Sequence, residues 1–154
     1  MRAAGATPVV CDVFDAGALG PAVADHAPDL VMHQLTDLPD EAGRIPEFGA
    51  RNARIRRVGT RNLLAAAGAA GCRRVVAQSV AWPLPGDAGA AVEEHERMVL
   101  DAGGVVVRYG QFHGPGTYHP GGPPPGPSIH IDDAAARTLD ALDAPAGVVS
   151  IADP

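Results

Sequence analysis

Apolar and polar positions along this chain fall into alternating blocks. Short apolar runs at residues 8–13, 30–33, 75–79, 105–108 and 148–151 predict buried strands, and the stretches between them carry helical spacing. Asp15 is placed to cap a helix over residues 16–26, in which Leu19, Ala22, Val23 and His26 share one face. A long helix is predicted over residues 47–70, with Ile55, Val58, Asn62 and Ala66 as its inward stripe and Gly71 as its stop. Residues 88–101 predict another amphipathic helix, closed by Gly103 and Gly104, and a last helix opens at Asp132 or Asp133 and runs to Leu142. Residues 36–46 and 82–86 read as loops. Residues 114–127 are crowded with proline and glycine and predict a flexible or polyproline-like loop rather than a packed element.

Strands that alternate with helices predict a parallel sheet covered on both faces. Ligands in such sheets bind beyond the carboxyl ends of the strands. That rule singles out Asp12 and Val13, then Gln34, Leu35 and Thr36, then Gln78, Ser79 and Val80, and finally Tyr109 to Phe112.

Composition narrows the picture. The 154 residues suffice for one domain with its own core. The net charge of -6 argues against a nucleic-acid partner, and no apolar run approaches the roughly 20 residues needed to span a bilayer. With no secretory leader in the opening residues, a cytoplasmic location is the expectation. Cys11 and Cys72 are far apart and are expected to be buried thiols rather than a disulfide or a metal pair. His113, His119 and His130 match no metal-ligand spacing, so no metal is expected. His33 reads as a satisfied, partly buried histidine, and residues 93–97 as a solvated helix face. All 12 basic residues are arginine; the chain has no lysine.

Six segments, in order, resemble one known family. Cys11-Asp12-Val13-Phe14-Asp15 is similar to its Gly-Asp-hydrophobic-x-Asp segment, and residues 28–36 to its D-V-V-x-H-x-A-A strand. Residues 58–64 resemble N-V-x-G-T-x-N-L-L, and residues 71–76 resemble G-V-K-R-F-V. Residues 108–116 resemble R-P-x-x-V-Y-G-P-G, and residues 129–135 resemble V-H-V-D-D-V-A. These are segments of the extended short-chain dehydrogenase/reductases, the NAD-dependent epimerase/dehydratase family. The resemblance implies a Rossmann-like, doubly wound α/β fold that binds NAD or NADP and acts on a sugar nucleotide or related carbonyl compound. It implies cofactor contacts at Asp12, Val13, Leu35, Thr36, Gln78, Tyr109, Gln111 and Phe112, a catalytic hydroxyl at or beside Ser79, and substrate contact at His130. Residues 114–131 would be a shortened remnant of the substrate-binding region within a single partial domain.

The departures matter as much. The family's G-x-x-G-x-x-G turn, which lets backbone approach a pyrophosphate, is absent, and Gly17 and Gly20 do not replace it. The family's Tyr-x-x-x-Lys pair has no counterpart, and Val80 rather than Ser79 falls in the catalytic register. The resemblance therefore implies a truncated or degenerate member lacking the first βαβ unit, with weak or absent cofactor binding and little or no turnover. A non-catalytic ligand-binding module and a fragment of a longer reading frame are the alternatives. A serine hydrolase is disfavoured, since Pro83 and Pro85 prevent a helix from starting directly after Ser79. In the usual strand order 3-2-1-4-5-6, residues 9–13 would be the third strand and residues 30–33 the fourth. Without the two strands between them, they either pair directly or leave an exposed sheet edge open to self-association.

Overall fold

A computed structural model describes residue 3 and residues 5–153 of the chain. Its strands are β1 (Leu30–His33), β2 (Arg74–Val80), β3 (Val105–Tyr109), β4 (Gln111–His113), β5 (Ser128–His130) and β6 (Gly147–Ile151). Its α-helices are α1 (Ala16–His26), α2 (Ile45–Arg54), α3 (Thr60–Ala69), α4 (Gly86–Asp101) and α5 (Ile131–Ala141). The main sheet has the order β1-β2-β3-β6, parallel throughout, and β4 pairs with β5 in a small second parallel sheet. This is a Rossmann-like α/β fold with an incomplete sheet.

The inner strands β2 and β3 are near-continuous apolar runs because helices cover both of their faces. Val76, Val105, Val107 and Tyr109 join Ile129, Ala134, Ala141 and Ile151 in a core beneath α5. Ala77 and Val106 point the other way and pack on Val99 of α4. Period-two alternation therefore sends Ser79 and Arg108 to the α4 face, and Gln78 and Tyr109 to the α5 face.

Residues 8–13 correct the first expectation: they form no strand. Val9 is 54% exposed and Val10 fully so. A strand needs a neighbour's ladder, and here a local turn wins instead. The Phe14 N–H donates to Asp12 Oδ1 at 2.9 Å and the Asp15 N–H to Asp12 O at 3.0 Å. Asn62 Nδ2 then donates to Val13 O at 3.0 Å, anchoring the turn on α3 rather than on the sheet. Asp15 caps α1 as expected, its Oδ1 accepting from the Ala18 N–H at 3.0 Å. Among the described residues β1 pairs only with β2, so its outer edge is open.

The long helix is interrupted. Between α2 and α3 lies a π-helical turn, Ile55–Gly59, so that helical backbone continues from Ile45 to Ala69 with a changed register. Each extra residue in a π turn rotates the downstream helix by about 100°. The expected stripe is split: Ile55 and Ala66 are buried, Val58 and Asn62 only partly, and Arg56, Gly59 and Thr60 are buried as well. Two further expectations shift. Both cysteines are free but only half-buried. The cap of α5 is His130, whose Nδ1 accepts the Asp132 N–H at 3.3 Å, not Asp132 or Asp133.

Candidate functional site

The carboxyl ends of β1, β2 and β3 open into a cleft of about 970 Å³. Thr36, Gln78, Ser79, Tyr109, Gln111 and Phe112 line it. Its far wall comes from the π turn and α2, and its mouth from the 36–40 loop and the proline-glycine loop. Tyr118 bridges these two loops by donating its hydroxyl to Pro39 O. The other residues singled out from the sequence lie elsewhere. Asp12 and Val13 sit in the turn before α1, and Leu35 is exposed beside the free edge of β1. His130 caps α5 and packs its ring edge-on against His113 at 5.4 Å.

Two hydroxyls are already engaged. Thr138 donates to Ala134 O at 2.6 Å, so the Tyr109 hydroxyl, 2.6 Å from Thr138 Oγ1, donates to it and is tied into the α5 core. Ser79, 1% exposed, donates to Glu96 Oε1 at 2.5 Å. Glu96 also takes a two-pronged bond from Arg108, from Nε at 2.9 Å and Nη2 at 2.5 Å. Burial pushes the Glu96 carboxyl up, but the bonds from Arg108 and Ser79 outweigh it and hold the group below the usual range. Residues 93–97 are therefore not simply a solvated face, because His95 and Glu96 are buried. The sequence carries the signal: Ala91, Val92, His95, Glu96 and Val99 fall on one helical face.

Behind the cleft runs a buried chain of hydrogen bonds whose direction is set by its ends. The Leu35 N–H donates to His33 Nδ1 at 3.2 Å, and Gln78 O accepts from His95 Nε2 at 3.0 Å. His33 Nε2 must then donate to Thr60 Oγ1, and the Thr60 hydroxyl to His95 Nδ1, each at 2.8 Å. This arrangement satisfies every member only with both imidazoles neutral. It agrees with the histidine pKa values, both lowered to about 4. Burial is the main cause for each, followed by His95 and then Arg56 for His33, and by Arg56 for His95. His33 is thus a satisfied histidine, and fully buried rather than partly so.

Arg56, on the π turn, completes the far wall of the cleft. It is 5% exposed, and its Nη1 has no hydrogen-bond partner among the described residues. Burial draws its pKa down from the ordinary arginine value, against the pull of Glu96. Nothing in the sequence pattern marks it, since the expected inward stripe skips residue 56.

Acidic side chains stand at the starts of four of the described α-helices. A helix N-terminus attracts anions, and a carboxylate placed there already meets that charge. Here Asp15 caps α1, Glu47 lies in the first turn of α2, Asp87 in that of α4, and Asp132 and Asp133 in that of α5. The cleft itself is roomy enough for a small ligand. Among the described residues no helix is long and apolar enough to cross a membrane, and no cluster of three His, Cys, Asp or Glu residues could hold a metal ion.

No protein-family model matches the sequence. A curated relative, a 3-diazoavenalumate denitrifying reductase from a Streptomyces species, is 35% identical over 188 aligned residues, covering 94% of this chain and 62% of the relative. That aligned stretch is longer than the whole chain of 154 residues, so the relative carries internal segments that this chain lacks. Among solved structures, RMD from Pseudomonas aeruginosa in complex with NADPH superposes with a TM-score of 0.75 at 17% identity, over 96% of this chain and 66% of that one. Bordetella bronchiseptica WbmH in complex with NAD+ gives 0.73 at 17% identity, over 94% and 59%. Thermotoga maritima UDP-glucose 4-epimerase with UDP-glucose gives 0.73 at 17% identity, over 92% and 61%. The chain spans about three-fifths of the curated relative's length, 62%. The parallel sheet, its helices and these likenesses together give the chain the fold of the NAD-dependent epimerase/dehydratase family of extended short-chain dehydrogenase/reductases.

Proposed function

We propose that this chain is the substrate-side portion of an NAD(P)-dependent reductase or epimerase fold, holding a small ligand in its cleft with little or no turnover of its own. One observation carries the reading. The cleft lies at the carboxyl ends of three parallel strands, yet Tyr109 is bound into the α5 core and the chain has no lysine to activate a tyrosine. General acid–base work of that kind is worth about 10²–10⁴-fold in rate. Dinucleotide binding is weak and centred on adenine, near Asp12, Val13, Leu35 and Thr36, because the N-termini of α1, α2, α4 and α5 already carry carboxylates. Residues 114–131 are a shortened remnant of the substrate region, a reading that rests on the resemblance of the segments flanking them, 108–116 and 129–135.

The test is a turnover assay with NADH and NADPH against carbonyl and sugar-nucleotide substrates, alongside calorimetry with NAD and with adenosine. The expected result is no turnover and similar, feeble affinities. Turnover that disappears in Ser79→Ala, or a micromolar constant for NAD alone, overturns the reading. A second, non-catalytic role is favoured by the open edge of β1 beside exposed Met32 and Leu35. A second copy of the chain pairing there would appear as a concentration-dependent dimer in analytical ultracentrifugation.

A further inference from the structure

The guanidinium of Arg56 is a buried charge with no ion pair among the described residues. It lines the cleft, is 5% exposed, and has Nη1 buried with no hydrogen-bond partner among the described residues. Glu96 is the one carboxylate whose charge acts on it, and that carboxylate is already filled by Ser79 and by both prongs of Arg108. The neighbouring imidazoles of His33 and His95 are neutral in their hydrogen-bond chain and offer no negative charge. An unpaired buried cation is costly, and an anion delivered by a ligand removes that cost.

We propose that Arg56 is the receptor for the carboxylate of a small monocarboxylic ligand with an apolar, aromatic-sized body, bound in this cleft. Charge decides for a carboxylate over a phosphate. Among the described residues Arg56 is the only arginine on the cleft wall, the chain has no lysine, and the only acidic residue lining the cleft is Asp40. One guanidinium balances one carboxylate, which it also matches in planar geometry. A phosphate dianion or a diphosphate would remain uncompensated and would face Asp40 as well. Shape decides for an apolar body, since Leu38, Ile45, Trp82, Leu84, Phe112 and Tyr118 make up much of the wall. The inference rests on reading the cleft as the substrate side of the fold, and it points away from nucleotide diphosphates.

The test is calorimetry on the full chain without cofactor, using 2-naphthoate, its uncharged amide 2-naphthamide, inorganic phosphate and UDP. The acid is expected to bind about tenfold or more tighter than the amide, as a charge-assisted bond implies. Phosphate and UDP are expected to bind more weakly than the acid. In Arg56→Met the preference for the acid disappears, and the ligand-free Tm is unchanged or raised because an unpaired buried charge has gone. If that variant does not fold, the comparison of acid with amide in the wild-type chain decides alone. Equal affinity for acid and amide, including no detectable binding of either, overturns the proposal. So does tighter binding of phosphate or UDP, or a lowered Tm in Arg56→Met with acid preference intact. None of these measurements involves NAD(P)H, so a failure here is distinct from a failure of the turnover assay.

Discussion

Thr60 Oγ1 lies 2.8 Å from His95 Nδ1, and this single buried bond joins the bulged helix to α4. Thr60 has no exposed surface, and it also accepts from His33 on β1. Three elements of the fold, β1, the bulged helix and α4, therefore meet at one hydroxyl. Thr60→Val keeps the shape but leaves the His33 Nε2–H and the His95 Nδ1 unsatisfied. The expected loss is about 1–3 kcal/mol in a urea melt. Thr60→Ser, which keeps the hydroxyl, should lose much less.

The same chain of bonds makes stability depend on pH. Both histidines have folded pKa values lowered to about 4, below the unfolded value of 6.5. Between those values the unfolded chain binds more protons, so stability is full above the unfolded pKa and falls as pH drops toward 4. The limiting slope is about 1.4 kcal/mol per pH unit for each histidine. Urea melts at pH 7.5 and pH 5.0 should show the fall. Imidazole proton resonances of His33 and His95 should stay at their neutral positions throughout that range.

Glu96 couples the Ser79 hydroxyl to the half-exposed Arg108, and a double-mutant cycle can isolate the arginine's share. The carboxylate is 8% exposed but Arg108 is 45% exposed, so solvent screens the pair. Glu96→Gln combined with Arg108→Met should give an interaction energy of about 0.5–2 kcal/mol from denaturant midpoints. Additive single effects would show that the two-pronged bond contributes nothing to stability.

Two glycines should respond in opposite directions. A Cβ on Gly110 would stand 2.8 Å from the backbone N, Cα and C of Ser128, where β3 hands over to β4. Gly110→Ala must push apart the strand ends that line the cleft, costing about 1–3 kcal/mol. Gly68, within α3, has nothing within 4 Å of an added Cβ. Gly68→Ala should raise stability by about 0.4–1 kcal/mol. Thermal melts of both variants provide the check.

Part of the site is legible in the sequence. Thr36, Gln78, Ser79, Tyr109, Gln111 and Phe112 line the cleft because strand polarity alone brings the carboxyl ends of parallel strands to one side. Asp15 is legible as a cap because its bond to Ala18 is local. Residues 8–13 depart from the expected strand because an apolar run states a preference for burial and does not supply a neighbouring strand. Arg56 escapes a sequence reading because charged side chains read as solvent-facing unless their partners are known, and Glu96 shows only its place on the buried face of α4, not its partners. Glu96 finds its partners 12 and 17 residues away, and Arg56 Nη1 has none among the described residues.

The sequence by itself determined the order of the four main-sheet strands and of the helices that follow them, since hydrophobic period is a local property; it did not show the short β4–β5 pair or the π turn. It also determined the absence of a Tyr-x-x-x-Lys pair, because no folding can place a lysine that the chain does not contain. Tertiary structure alone decided what each polar group does. The π turn rotated Arg56 into the cleft wall, the packing of α4 gave Glu96 to Arg108 and Ser79, and burial left both histidines neutral. Those outcomes depend on distance and desolvation between segments remote in sequence, quantities that exist only once the chain has folded.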